Sequence, residues 1–221
     1  MFETAAAGPV SPLFIAGVGL AGMCLGLLAD AVIRRALPHL AGAASIRLRI
    51  TTAAVTFVLS ALLAFRFGST AELPAYLMLG ILAVPLARID MEHHLLPNRL
   101  VGPLLGAGLV LLAAAALAQG AAGDLVRGIA GSVILFIVYL VLALTSGNGL
   151  GMGDVKLAAP LGLYLGYLGW PHLFYGGALA FVAGGLAAVI MVLRNRGNKP
   201  QEVAYGPSML AAGLAITLFL P

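Results

Sequence analysis

Residues 125–145 read LVRGIAGSVILFIVYLVLALT, residues 146–156 read SGNGLGMGDVK, and residues 157–170 read LAAPLGLYLGYLGW. The first stretch carries one charge, Arg127, and is long enough for a helix to cross a bilayer, which takes about 20 apolar residues. The second is a glycine-rich break bearing an aspartate and a lysine. The third is apolar again, though short and rich in glycine. The same alternation of apolar run and short polar break recurs outward in both directions. By the length rule, spans fall near 12–33, 50–66, 72–89, 98–118, 125–145, 157–170, 172–193 and 205–221. The fold class expected is all-α: a polytopic transmembrane helical bundle of about eight spans.

Composition agrees. Of 221 residues, 62% are hydrophobic and 9% charged, where a soluble domain carries about 25% charged residues. Mean hydropathy is +1.07. No polar stretch is long enough for a soluble domain, so 1–221 reads as a single integral-membrane domain. The N-terminal MFETAAAGPVSP lacks a basic n-region and the run after it is long enough to span, so it reads as a retained anchor. The one cysteine, Cys24, lies inside the first apolar run, which excludes an internal disulfide and a CxxC metal pair and predicts packing as a small apolar residue. Glycine and alanine at four-residue spacing (Gly102 and Gly106, Gly162 and Gly166, Gly176, Ala180 and Gly184) predict close helix approach.

The net charge of +4 reports topology rather than a nucleic-acid surface. With eight spans, Arg34, Arg35, Arg47, Arg49, Arg88, Arg99, Lys156, Arg194, Arg196 and Lys199 share one side, and Arg66 and Arg127 the other. The positive-inside rule makes the richer side cytoplasmic and puts the N-terminus outside. Asp90 and Asp154 then both reach the cytoplasmic face.

Those two aspartates are the candidate catalytic groups. Ionisable side chains near membrane depth are costly and default to functional candidates. Two carboxylates placed alike in two halves of a chain suggest a shared-proton pair, as in aspartic proteolysis. Asp90 sits in LARIDMEHHLLPNRL (residues 86–100). Pro97 breaks helix at Leu96, and Asn98 suits the N-cap of the next span. The bland reading of Asp90 is a membrane-edge charge balanced by Arg88. Glu92 is a second carboxylate, either a solvated loop charge or a substrate contact. His93 and His94 face headgroup or substrate; with no HExxH or cysteine cluster they imply no metal.

Around Asp154, Gly147, Gly149, Gly151 and Gly153 alternate. This stretch is expected to resist helix, to reach positive φ and to admit an extended peptide backbone. Gly151 and Gly153 are therefore candidate substrate-binding positions. A phosphate loop is excluded because GxxxxGK[ST] is not met. The bland alternative is an interhelical hinge with Asp154 as the N-cap of span six. Lys156 can answer lipid phosphate, balance the carboxylate or touch substrate.

Asp90 with its downstream LPN, then GMGDVKLAAPLGLYLG (151–166), then YGPSMLAAG (205–213), resembles the type IV prepilin leader peptidases, membrane aspartic proteases with a GxGD signature. The resemblance covers roughly residues 83–213. It implies that Asp90 and Asp154 form the catalytic pair and that Gly151 and Gly153 are the motif glycines. It implies prepilin or pseudopilin substrates of pilus or secretion systems, cleaved after a short basic leader at the cytoplasmic membrane, with no cofactor. Longer members carry a four-cysteine insertion between the first two spans, tied to zinc and N-methylation. Here that place holds RRALPHLAGAASIRLR, which implies a peptidase without N-methyltransferase activity. The stretch GLLADAVIRRALP resembles a degenerate trace of that family's glycine–asparagine–arginine–proline segment, with Asp30 near where an asparagine is expected; Asp30 and Arg34 are also an i,i+4 pair on a helix, and a local ion pair is the preferred reading. Two alternatives from other classes remain at this point: a proton-coupled transporter, and a non-catalytic pilus-assembly factor.

Overall fold

A computed structural model describes residues 10–36, 46–145, 150–194 and 204–221. Among them are eight α-helices and no strand: α1 (Pro12–Ala36), α2 (Ile46–Phe67), α3 (Leu73–His93), α4 (Asn98–Gln119), α5 (Ala122–Thr145), α6 (Met152–Leu168), α7 (Trp170–Arg194) and α8 (Gly206–Phe219). Each coincides with one expected span. By length and composition, α1 to α5 are long and apolar enough to cross a membrane. Large apolar side chains on α5, Val133, Ile137 and Val141 among them, are exposed, as a lipid-facing helix requires. The chain forms two compact units, Met1–Val84 and Pro85–Pro221, and α3 runs from the first into the second.

In the first unit, α1 packs on α2 through Gly19, Gly22 and Gly26, whose missing side chains make room for Phe57, Ser60 and Thr56. Thr56 returns its hydroxyl to the Thr52 carbonyl at 2.8 Å, so a buried polar side chain is satisfied within its own helix. Asp30 and Arg34 form the expected i,i+4 ion pair. Cys24 departs from expectation. It is exposed on α1, because the close-packed face is taken by the glycines. Gly68, at φ 59°, ends α2 by donating its N–H to Ala64 at 2.8 Å, a left-handed stop that glycine adopts without steric cost.

In the second unit α6 is the central helix. It packs against α4, α5, α7 and α8, and 12 of its 17 residues are buried. Its tightest partner is α5. A Cβ on Gly162 would collide with the Gly131 carbonyl, and one on Gly166 would lie 2.8 Å from the Arg127 carbonyl. Gly128 approaches Gly166, while Gly131, one turn further along α5, approaches Gly162, one turn earlier on α6, so the two helices run antiparallel. Arg127 then closes that end, with Nε donating to the Gly166 carbonyl at 2.8 Å and its guanidinium paired with Asp124 at 2.9 Å. Gly108 on α4 makes room for the Tyr164 ring, whose hydroxyl donates to the Leu104 carbonyl at 3.3 Å.

The expected small-residue contacts divide. Gly162, Gly166, Gly176 and Gly184 do sit against neighbours, and Ala180 is buried. Gly102 and Gly106 do not: a Cβ at either would meet open space, because α4 turns other residues inward, Leu104 and Gly108 among them. Gly162→Ala is therefore expected to lower the thermal unfolding temperature in detergent, by the equivalent of about 1–3 kcal/mol for overpacking against backbone. Gly102→Ala should leave it unchanged or slightly raised, since alanine favours helix by about 1 kcal/mol over glycine. Equal effects at the two positions would contradict the packing described.

Candidate active site

Asp90 lies in the last turn of α3 and is 4% exposed. Its Oδ2 accepts the backbone N–H of Gly206, the first residue of α8, at 2.9 Å. The amino end of a helix presents unpartnered N–H groups and a partial positive charge, which suits a carboxylate. Glycine is needed there, because a Cβ on residue 206 would lie 2.7 Å from the same oxygen. Pro207 follows in the first turn of α8, where its missing N–H costs nothing. Behind Gly206, the Tyr205 ring fills the space left by Gly184 on α7. The sequence motif YGP thus does two jobs: it seats the ring and it delivers an amide to Asp90.

The chain leaves α3 through His94, at φ 49°, whose N–H bonds the Asp90 carbonyl at 2.8 Å. It restarts at Pro97, which is the N-cap of α4 (φ −68°, ψ 130°) and whose carbonyl receives the N–H groups of Leu100 and Val101. The sequence pattern suggests Asn98 for that place. It is instead the first helical residue, and its side-chain oxygen accepts a hydrogen bond from Lys156 Nζ at 3.1 Å. The proline takes the cap because its fixed φ already matches the extended conformation the position requires.

Asp154 is also not the N-cap of its helix. Gly151 is (φ −73°, ψ 147°), and Asp154 stands three residues on, in the first turn of α6. Its Oδ2 reaches back to accept the Gly151 N–H at 3.2 Å, the carboxylate half of a capping box. The glycine-rich stretch is consequently more helical than its composition suggests: α6 begins at Met152 and includes Gly153. Burial on all sides outweighs the weak propensity of one glycine. Gly147 belongs to the remainder of that stretch and, with Gly149, lies outside the described residues.

Gly153 is close to Leu96 of the α3–α4 connection, with Leu96 Cβ 3.1 Å from where a Cβ would stand. Together with the Lys156–Asn98 bond, this fastens the start of α6 to the chain just beyond Asp90. Asp154 is 5% exposed and lies within electrostatic reach of Asp90. Its second oxygen, Oδ1, is buried and has no hydrogen-bond partner among the described residues. The two aspartates, Gly151, Gly153 and Lys156 are thus gathered at one end of the unit. Glu92 is different. Its side chain is 44% exposed, 3.9 Å from His93. Buried, like-charged carboxylates each steadied by a backbone N–H are equipped to hold and pass a proton. Gly206 and Tyr205 were absent from the candidate residues, although the YGP motif pointed to their segment. Leu96 is the first residue of the LPN segment, but nothing in the sequence pointed to its contact with Gly153.

A profile of the type IV leader peptidase family matches residues 76–190, which include both aspartates. The chain belongs to that family. Among curated relatives it is 32% identical over 166 residues to a prepilin leader peptidase/N-methyltransferase of Stutzerimonas stutzeri, covering 73% of this chain and 55% of the relative. Proteins of the same name are 35% identical over 162 residues in Pseudomonas aeruginosa (72% and 53% coverage) and 36% over 148 in Dickeya chrysanthemi (65% and 49%). The chain thus spans about half the length of the curated relatives it matches. No solved structure matches it significantly.

For this family member, Gly206→Ala is expected to be far more harmful than its small size implies, since the added methyl displaces the buried Asp90 carboxylate from the amide that holds it. Lys156→Met loses one exposed hydrogen bond and should cost no more than about 1 kcal/mol. Thermal unfolding of the two variants in the same detergent checks the order. A Lys156 variant less stable than the Gly206 variant would refute it.

Proposed function

We propose that this protein is an aspartic endopeptidase that removes the short basic leader of type IV prepilins or pseudopilins. Asp90 and Asp154 are the catalytic pair in this reading. The observation that carries it is a pair of buried aspartates on separate helices within electrostatic reach of each other, one with a carboxylate oxygen left for a further hydrogen bond. Family membership and the names of the relatives support the same substrate class. Two neighbouring carboxylates do not both ionise easily, and one shared proton makes one an acid and the other a base. The ionised aspartate takes a proton from water as that water attacks the scissile carbonyl. The protonated aspartate gives its proton to the developing oxyanion, and protonation of the leaving amine completes cleavage.

The backbone of Gly151 and Gly153 receives the extended leader, and Lys156 and Glu92 contact it from the rim. The distribution of Lys and Arg supports a cytoplasmic position for the site, where a basic leader is retained. Cleavage proceeds without N-methylation in this reading. Its support is the segment between α1 and α2, which contains no cysteine. The curated relatives carry the methyltransferase name as well.

Coexpression with a prepilin, followed by mass measurement of the pilin N-terminus, tests both parts. The expected product lacks the leader and carries no added methyl group. Asp90→Asn and Asp154→Asn should each abolish processing while leaving membrane insertion intact. Full cleavage by either purified variant would remove that residue from the catalytic pair, and an uncleaved pilin with the unaltered protein would refute the peptidase reading.

A further inference from the structure

The α5–α6 contact fixes more than packing. From Gly131 to Tyr139 is eight residues along α5, and from Gly162 to Asp154 is eight residues back along α6. Gly131 and Gly162 touch, and the helices are antiparallel. At 1.5 Å rise per residue, both chains travel about 12 Å from that contact, so Tyr139 and Asp154 come level. Tyr139 also lies on the inward stripe of α5, with Gly128, Gly131 and Leu135.

Tyr139 is 2% exposed, and its hydroxyl is buried without a hydrogen-bond partner among the described residues. Asp154 Oδ1 is in the same condition. Unpaired buried polar groups cost about 1–3 kcal/mol each and are uncommon in folded proteins. A phenol is a good donor and a carboxylate an acceptor, so each supplies what the other lacks. On its other side Tyr139 borders a cavity of about 610 Å³ between α5 and α7, lined, Trp170 apart, by apolar groups such as Leu135, Val138, Leu173 and Phe174. Those side chains offer the hydroxyl nothing. Tyr139 is within electrostatic reach of Asp154 and Tyr205, and Asp154 of Asp90.

We propose that Tyr139 is a positioning residue for Asp154: in the working enzyme its hydroxyl donates a hydrogen bond to Asp154 Oδ1, while Gly151 holds Oδ2. The carboxylate is then gripped at both oxygens and aimed across the site at Asp90. This inference rests on the peptidase reading for its kinetic consequence, but the hydrogen bond itself does not depend on that reading.

The test uses the full chain reconstituted in lipid, with Tyr139→Phe, which keeps the ring and removes only the hydroxyl. Against a prepilin substrate, kcat should fall about tenfold or more, as for loss of a hydrogen bond to a charged group, with KM within about twofold. Infrared difference spectra across a pH titration follow the Asp154 carboxyl band, assigned by its loss in Asp154→Asn. Its midpoint should rise by about half a pH unit or more in Tyr139→Phe, because a donor favouring the ionised form is gone. If Tyr139→Phe fails to accumulate, 3-fluorotyrosine at position 139 preserves shape and strengthens the donor, and the midpoint should fall instead. An unchanged Asp154 midpoint, or unchanged kcat in an enzyme that cleaves, overturns the proposal. Absence of cleavage by the unaltered protein overturns the peptidase reading alone, and the infrared midpoint still decides the hydrogen bond.

Discussion

The backbone contact of α5 with α6 at Gly131 and Gly162 is the constraint on which the second unit depends. Two helices this close must have no side chain between them, and glycine is the residue that allows it. The close approach leaves α6 enclosed by α4, α5, α7 and α8. An enclosed helix carries anything polar on it into a buried place. Asp154 is therefore buried because of what lies two turns further along its helix, and the register of that contact decides which residue of α5 stands level with it.

The two aspartates are steadied by the same device in different forms. Each has one carboxylate oxygen on the backbone N–H of a glycine at a helix start: Gly206 of α8 for Asp90, Gly151 of α6 for Asp154. Helix starts have amides to spare, and their dipole favours negative charge. In an apolar surrounding this is an economical way to hold a carboxylate, because it brings no counter-ion that would compete for the proton. For Asp90 the amide comes from residues 116 positions away, so its geometry depends on the packing of α7 and α8. For Asp154 the amide is local, from the N-cap of its own helix. One carboxylate is thus tied to the body of the unit and the other to a helix end whose preceding residues are rich in glycine.

Much of this is legible in the amino-acid sequence, for specific physical reasons. The helices follow from apolar runs, five of them of bilayer length among the described residues, since no other backbone conformation satisfies its own hydrogen bonds in lipid without closing into a barrel. Asp90 and Asp154 stood out because charge is scarce and costly in such a chain. Gly162 and Gly166 were recognisable as contact positions, but Gly102 and Gly106 have the same spacing and pack against nothing. Four-residue spacing defines a face of a helix; it does not say whether another helix lies against that face. Cys24 fails for the same reason, since the stripe of Gly19, Gly22 and Gly26 claimed the contact and left the cysteine outside.

The helices and the two acidic positions follow from composition and short-range pattern alone. Tertiary structure decided what the aspartates hold. Asn98 was displaced from its cap by Pro97 and given to Lys156, Asp154 moved from cap to third position, and Gly206 entered the site from a distant helix. Tyr139 gave no signal in the sequence, for an aromatic residue on an apolar helix reads as core. Its significance lies in register, and register is set by which glycines of two helices meet, a property of the pair that neither helix carries alone.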